Sequence, residues 1–323
     1  MSVAKIWVVA EPSASGITTT SLELLTAARE LADSVEAISW GPNTQANAAT
    51  LGEYGASVVH DAGDLAGKLP GVPVAAAIAA LVASAGAPDA ILVPTSYDGR
   101  DIAGRLSAKL DRPVLTNITG LSGAAGLVTE HQVFGGAQVV TARFTGDGPG
   151  IYVIRAKSFA AESAGGAAAT VTALAPVETG STGSATIQTS HVEERTGPAL
   201  DEAAVVVSGG RGLGEAAGYE LIEELARLLN GAAGASRAIV DAGWVPYSHQ
   251  VGQTGKTVKP TVYLACGISG ATQHMVGMKG SKNIVAVNKD ADAPIFTIAD
   301  LGIVGDVHKV LPALIDALKS RPA

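Results

Sequence analysis

Short apolar runs alternate with stretches whose apolar residues recur every three or four positions, and this alternation organises the first hundred residues. Residues 5–10 form an apolar run closed by Glu11 and Pro12, which predicts a first strand. Leu22, Leu25, Ala28 and Leu31 stand at helical spacing over 21–31, with Thr20 or Ser21 as the cap. Strands are predicted over 35–40 and 56–60, an Ala-rich helix over 72–84 and a strand over 90–94. That strand runs into the polar turn Thr95-Ser96-Tyr97-Asp98-Gly99-Arg100-Asp101, followed by a helix over 102–110. Such alternation builds a mostly parallel sheet with helices on both faces.

From Val114 the pattern changes. Residues 120–128, 132–134, 137–144 and 151–155 read as short strands separated by glycine turns, which predicts antiparallel hairpins appended to the first sheet. Residues 160–184 are rich in Ala, Gly, Ser and Thr. The polar segment 190–199, ending in Gly197-Pro198-Ala199, is the expected connection, with domains over 1–192 and 193–323. The second domain then alternates again. A strand is predicted over 203–207, an amphipathic helix over 218–229, strands over 261–266, 284–287 and 295–298, and a last helix over 307–319 started by Asp306 and kinked at Pro312. The expected fold class is α/β: an N-terminal nucleotide-binding-like α/β domain and a C-terminal doubly wound parallel-sheet domain.

Composition narrows the function. At 323 residues the chain accommodates two domains, and 47% hydrophobic against 16% charged residues excludes global disorder. The net charge of -8 argues against a nucleic-acid binder, which needs a basic face. The longest apolar stretch, over 72–82, falls short of the roughly 20 residues that span a bilayer, and the apolar run within residues 1–11 is shorter than expected of a signal peptide. A cytoplasmic protein without membrane insertion is expected. The single cysteine, Cys266, excludes an intramolecular disulfide and reads as a small buried strand residue.

Candidate chemistry concentrates between Arg237 and Asp306, where polar clusters follow strands or precede helices. Upstream, Ser208-Gly209-Gly210-Arg211-Gly212-Leu213-Gly214 is a strand-to-helix glycine turn that suits either phosphate binding or tight packing. It is neither a dinucleotide fingerprint, because Glu215 stands where the third glycine belongs, nor a Walker A loop. Arg237 stands among small and apolar residues, so it is expected to be buried against a ligand or paired with Asp241 four residues on. Val251-Gly252-Gln253-Thr254-Gly255-Lys256 offers donors between glycines. Gly267-Ile268-Ser269-Gly270 opens a helix predicted over 271–278, capped by Ser269, with Gln273 and His274 in its first turn. His274 is either a site donor or a core histidine. Tyr247-Ser248-His249 receives no role, and His249 is expected to face solvent. The histidines lack any ligand spacing.

These residues carry a resemblance. Ser236-Arg237-Ala238, Gln250 to Lys256, Gly267 to His274, Gly277-Met278-Lys279, Asn288-Lys289-Asp290 and Gly302-Ile303-Val304-Gly305-Asp306, in this order, resemble the alpha subunit of an electron-transfer flavoprotein. Gly99-Arg100-Asp101 and Phe134-Gly135-Gly136-Ala137 extend the likeness to the first domain. The resemblance implies a redox carrier rather than an enzyme with its own turnover. It implies one FAD per heterodimer, held by the second domain, and a beta subunit that carries AMP and contacts the first domain. It also implies electron delivery from acyl-CoA or related dehydrogenases to a quinone oxidoreductase. Carried over by position, Arg211 lies over the flavin side of the site, and Ser236 and Arg237 stand beside the isoalloxazine ring. Gln253 and Thr254 approach the ring, with the Thr254 hydroxyl near N5, and Gln250, Val251 and Gly252 are further cofactor-binding positions. Ser269, Gly270, Ala271, Thr272, Gln273 and His274 surround the pyrophosphate and ring edge, with His274 on the O2 side. Asn288, Asp306 and Val307 hold the adenosine end. Positive charge or a donor near N1 and O2 stabilises the reduced ring. Glycines 209, 210, 252, 267 and 270 are expected to let the backbone close on the pyrophosphate. The alternatives are an adenine-nucleotide-binding hydrolase-like or stress-type module, whose phosphate site would need the thin candidate over 95–100, and a bifurcating flavoprotein with a second FAD in the partner.

Overall fold

The computed structural model describes residues 3–123, 126–189 and 197–320. The chain divides into two compact units, the first reaching His191 and the second starting at Val192. Most of the expected connection, residues 190–196, lies outside the described residues.

The first unit is a seven-stranded sheet in the order Thr170–Ala173, Val58–Asp61, Ala32–Ser39, Val3–Val9, Ala90–Pro94, Gly150–Ile154, Val114–Ile118, parallel throughout. Alternate side chains of its strands serve two cores. Ile6 and Val8 pack with Leu24, Leu25 and Leu51 of the helices Thr19–Leu31 and Thr44–Glu53. Trp7 and Val9 pack with Val74, Ile78, Ile102 and Leu106 of Gly71–Ala85 and Tyr97–Leu110. The α/β class with a parallel sheet and helices on both faces is therefore present.

Several elements differ from expectation for identifiable reasons. Thr18, not Thr20 or Ser21, caps the first helix by accepting from the Ser21 amide, which leaves the Ser21 hydroxyl to accept from the Glu11 amide at 2.9 Å. The polar run after Pro94 is mostly helix. Ser96 accepts from the Gly99 amide at 2.8 Å, so the helix begins at Tyr97. The helix Thr44–Glu53 was not expected, because among its larger apolar positions only Leu51 is buried and its Gly52 sits directly on the Ala167 carbonyl. The run over 151–155 is not a hairpin strand. As Gly150–Ile154 it lies inside the parallel sheet, buried at every position, as a continuous apolar run requires. A separate antiparallel sheet is formed by Gly120–Ser122, Val128–Val133 and Gln138–Ala142, and Phe134 belongs to the turn Phe134–Gly136.

The second unit is a five-stranded parallel sheet in the order Ala232–Ala235, Val205–Gly209, Val262–Cys266, Asn283–Asn288, Leu301–Val304. One face packs Val207, Leu264, Cys266 and Val287 against the helices Glu220–Leu228 and Val307–Lys319. The other face, with Val206, Tyr263, Ala265 and Ala286, is covered by Val251, Val258, Ile268, Met278 and Ile295, all from loops or short turns. The expected strand over 295–298 is the turn Pro294–Thr297. Sheet pairing resumes only after Asp300, whose amide donates to the Ile284 carbonyl at 2.8 Å and whose carboxylate accepts from the Ile284 amide at 2.7 Å. The helix expected over 271–278 is only Thr272–Met275. Ala271 stands at its cap position, and Ser269 instead accepts from the Ile295 amide with its carbonyl. The last helix runs through Pro312. Among the described residues no helix is long and apolar enough to cross a membrane.

Glu11 follows the central strand of the first unit and is buried. Its Oε1 accepts from the Ser96 hydroxyl at the start of the helix Tyr97–Leu110. Burial raises its pKa to about 7, against the Ser96 bond and with help from Asp98. The folded state thus holds a proton that the unfolded chain releases near the ordinary glutamate value of 4.5. Stability from this group is complete below that value and is lost as the pH rises to about 7. At about 1.4 kcal/mol for each tenfold change in proton affinity, the loss is about 3 kcal/mol. Urea unfolding of the wild type between pH 4.5 and 8 is expected to show this decline, and Glu11→Gln to flatten it. Parallel curves for the two proteins would show that Glu11 is charged in the fold.

Candidate functional site

The strand order of the second unit places a reversal at one point. After Val205–Gly209 the chain crosses to Ala232–Ala235 on one side, and every later strand adds on the other. In open parallel sheets this opens a crevice at the carboxyl ends of the two strands where the order reverses, here Val205–Gly209 and Val262–Cys266. The loops that leave those strands are joined backbone to backbone. The Gly210 amide donates to the Cys266 carbonyl at 3.0 Å, and the Gly212 amide to the Gly267 carbonyl at 2.9 Å. A Cβ on Gly210 would lie 2.4 Å from the Gly267 carbonyl oxygen, and one on Gly267 2.8 Å from the Gly212 Cα. The other glycines expected at the pyrophosphate are similarly accounted for: Gly209 faces Leu213, Gly252 the Gln273 carbonyl, and Gly270 the Ile295 backbone. Packing within the chain, not room for a ligand, explains all five.

Next along the carboxyl edge, a chain of hydrogen bonds gathers three separate segments. The Ser236 amide donates to the Gly209 carbonyl at 2.9 Å, the Val251 amide to the Ala235 carbonyl at 2.9 Å, and the Gln253 amide to the Gln273 carbonyl at 2.7 Å. Within the loop, Gln250 Nε2 donates to Thr254 Oγ1 at 2.9 Å, and the Tyr247 hydroxyl donates to the Thr254 carbonyl. On the other side of the reversal, Asn288 Nδ2 donates to the Ile268 carbonyl at 2.9 Å, and the Gly305 amide to the Asn288 carbonyl at 2.9 Å. His308 Nε2 lies 3.1 Å from the Leu213 carbonyl, which ties the last helix to the glycine loop. Thus Arg211, Asn288, Asp306 and Val307 are linked along one stretch of the edge, and Ser236, Gln250, Gly252 and Gln273 along another.

The side chains sort into an outer row and an inner row. Arg211, Arg237, Gln253, Thr254, Ser269, Ala271, Thr272, Gln273 and Asp306 are exposed, whereas Ser236, Gln250, Val251, Gly252, Gly270, His274 and Val307 are buried. Of the two expectations for Arg237, the pair with Asp241 is the one present, and the side chain is exposed rather than buried. Its side chain is 65% exposed, and Nε donates to Asp241 Oδ2 at 3.0 Å. It starts the helix Arg237–Asp241, whose first residue points away from the sheet core. Val307 lies in the helix-side core and offers a ligand only its backbone. Asp306 caps the last helix by accepting from the His308 amide at 2.9 Å.

His274 turns inward. Its Nε2 lies 2.9 Å from the Tyr263 hydroxyl, while Nδ1 is buried without a hydrogen-bond partner. Burial lowers its pKa to about 4, with the Val251 backbone opposing, so the ring is neutral at pH 7. Ser208 Oγ is likewise buried and unpartnered. Tyr263 was not singled out from the sequence, because it looks like any residue of an apolar strand, and Ser208 was read only as the first residue of the glycine turn. Nor was His249 placed correctly: it is half-buried, its ring edge-on to Tyr219 at 6.1 Å. Among the described residues no group of three His, Cys, Asp or Glu could hold a metal ion.

Comparison with known proteins connects this geometry to a family. The family model described as electron transfer flavoprotein domain matches residues 6–179, and the one described as electron transfer flavoprotein FAD-binding domain matches residues 199–279. The second match takes in both loops of the reversal point and the Ser236, Gln250 and His274 segments; Asn288, Asp306 and Val307 lie beyond it. The chain is 42% identical over 322 residues to an electron transfer flavoprotein subunit alpha of Mycobacterium leprae, covering 99% of each. It is 38% identical to that of Thermoanaerobacterium thermosaccharolyticum, covering 97% of each, and 41% identical to the mitochondrial alpha subunit of Arabidopsis thaliana over 72% of this chain and 65% of that one. The second unit thus contains the family's FAD-binding domain. Its residues fit that cofactor: a row of exposed donors and small residues along the carboxyl edge, two exposed arginines, and buried polar atoms without a partner on Ser208 and His274 of the same segments. This chain belongs to the electron transfer flavoprotein family, as an alpha subunit.

Proposed function

We propose that the chain is the flavin-bearing subunit of a heterodimeric electron carrier. In this reading it takes electrons from acyl-CoA or related dehydrogenases and passes them to a membrane-associated quinone oxidoreductase. A beta subunit carrying AMP completes the dimer against the first unit. The observation that carries the reading is the order reversal in the second sheet, with its edge of exposed donors lying inside the matched FAD-binding segment. Bound FAD supplies one- and two-electron redox chemistry at its ring. Arg211 and Arg237 place positive charge at the rim, Gln253 and Thr254 offer polar contacts from a loop anchored on Gln250, and Ser269, Ala271 and Thr272 present small, exposed positions that accept close approach, with Gln273 exposed beside them. Asn288 and Asp306 are the candidates for the adenosine end. No nucleophile or acid–base pair is required.

The hydrolase-like alternative needs a phosphate site at the carboxyl edge of the first unit. There the buried carboxyl of Glu11 sits against Ser96, at the N-terminus of the helix Tyr97–Leu110, where a phosphate would have to bind. That arrangement weighs against the alternative.

Co-production of the chain with its beta subunit, followed by a visible spectrum and chromatography of the heat-released nucleotides, tests the reading. One FAD and one AMP per dimer are expected. Two FADs would move it to a bifurcating protein, and a colourless protein with adenine nucleotide alone would overturn it.

Arg237→Ala is expected to leave folding intact, because an exposed i,i+4 pair contributes only about 0.3–0.5 kcal/mol. It should lower the flavin midpoint potential. Removing a unit charge near the surface changes the energy of an added electron by on the order of 1 kcal/mol, or roughly 40 mV for one electron. A redox titration superimposable on the wild type would remove Arg237 from the ring environment.

A further inference from the structure

Two residues outside the expected cofactor set, Asp201 and Lys256, tie the loop over 250–256 to the start of the second unit. The chain enters that unit through a tight turn, in which the amides of Glu202 and Ala203 both donate to the Ala199 carbonyl at 2.9 Å. Leu200 and Ala203 anchor the turn, buried in the loop-roofed core that also holds Val251 and Val258. A Cβ on Gly234 would meet Val251 Cγ2 at 3.3 Å and Leu200 Cδ1 at 3.4 Å, so these two side chains flank one glycine of the strand Ala232–Ala235. Between the two anchors Asp201 is exposed, and its Oδ1 accepts from Lys256 Nζ at 2.8 Å.

The backbone of Lys256 closes the base of the loop. Its amide donates to the Gln250 carbonyl at 2.7 Å, and its carbonyl accepts from the Gly252 amide at 3.1 Å. Inside that base the Gly255 amide turns back onto the Gly252 carbonyl at 3.1 Å, and Gln253 and Thr254 stand exposed between them. One end of the loop therefore rests, through Val251, beside Leu200. The other is held, through Lys256, by Asp201. The ammonium of Lys256 is matched by a carboxylate of its own chain, unlike a group kept free for a phosphate. Because the pair is partly exposed, its strength is that of an ordinary surface ion pair. Its consequence comes from where it acts, on a residue whose backbone shuts the loop.

We propose that Asp201 is a positioning residue: from the entry turn it holds Lys256, keeps the 250–256 loop closed, and so presents Gln253 and Thr254 to FAD already ordered. A ligand that meets an ordered loop loses less affinity to ordering it. Only the effect on FAD rests on the carrier reading; the tie between turn and loop does not.

The test is a double-mutant cycle in the full chain with its beta subunit, using Asp201→Asn, Lys256→Gln and the two together. Both substitutions keep side-chain size and remove one charge. Two rates are read: hydrogen exchange of the Gly252 and Lys256 amides, and release of FAD. Each single variant is expected to speed both rates about threefold, within the range for exposed ion pairs, and the double variant no further. Lys256→Arg, which keeps the charge, should stay near the wild type. Additive effects of the two single variants would overturn the tie, as would unchanged exchange in both. Faster FAD release in Lys256→Gln with none in Asp201→Asn would make Lys256 a direct ligand of the cofactor and overturn the positioning role. A complex that carries no FAD yet shows the coupled change in exchange would strike the carrier reading and support the tie.

Discussion

The second unit depends on one close contact, that between the backbones of Gly212 and Gly267. These residues leave neighbouring strands on opposite sides of the order reversal, and a Cβ on Gly212 would lie 2.6 Å from the Gly267 Cα. No other residue type fits either position without separating the strands' ends. With both glycines present, the two loops share the 2.9 Å amide–carbonyl bond, and the carboxyl edge becomes one continuous backbone surface. The His308 bond to Leu213, the Asn288 bond to Ile268 and the Ser236 bond to Gly209 all attach to residues on either side of that joint. The outer row of polar side chains inherits its position from it.

The two units solve the same packing problem differently. In the first, helices cover both faces of the sheet, and the carboxyl edge is closed by the chain's own Glu11 and Ser96. In the second, helices cover one face only, and the other is roofed by the loops that carry the candidate ligands. Two parallel sheets of related construction thus differ in what their carboxyl edges can receive, because one edge carries a buried carboxyl and the other carries donors.

Much of this was legible in the residues. The strand Ala90–Pro94 and the last helix match their predicted bounds, since a continuous apolar run or a capped periodic one has few alternatives. The motif segments from Ser236 to His274 could be recognised as a set, and they do come together at the edge of the sheet. What escaped was decided by tertiary packing of small residues. Ala232–Ala235, to which the sequence pattern assigned no element, is an edge strand, with Gly234 directly over Ser208. Orientation escaped as well. The small neighbours of Arg237 suggested burial, and only the alternative pair with Asp241 is present, because the first residue of a short surface helix points out. His274, two positions from the exposed Thr272, points in because Tyr263 offers it a partner. Sequence neighbours do not report such choices; the element's rotation does.

The loop roof has a further consequence. Val251, Ile268 and Met278 cover the apolar core on that face, and they belong to the same segments that carry Gln253, Ser269 and Gln273. Occupancy of the edge and integrity of the core are therefore coupled equilibria. A ligand present at a hundredfold excess over its dissociation constant adds about 2.7 kcal/mol to the folded state. Conversely, any opening of the roof releases ligand and wets Val206, Tyr263 and Ala265 in one event. Among the described residues, the segments that would meet a ligand at this edge are the same ones that close the core.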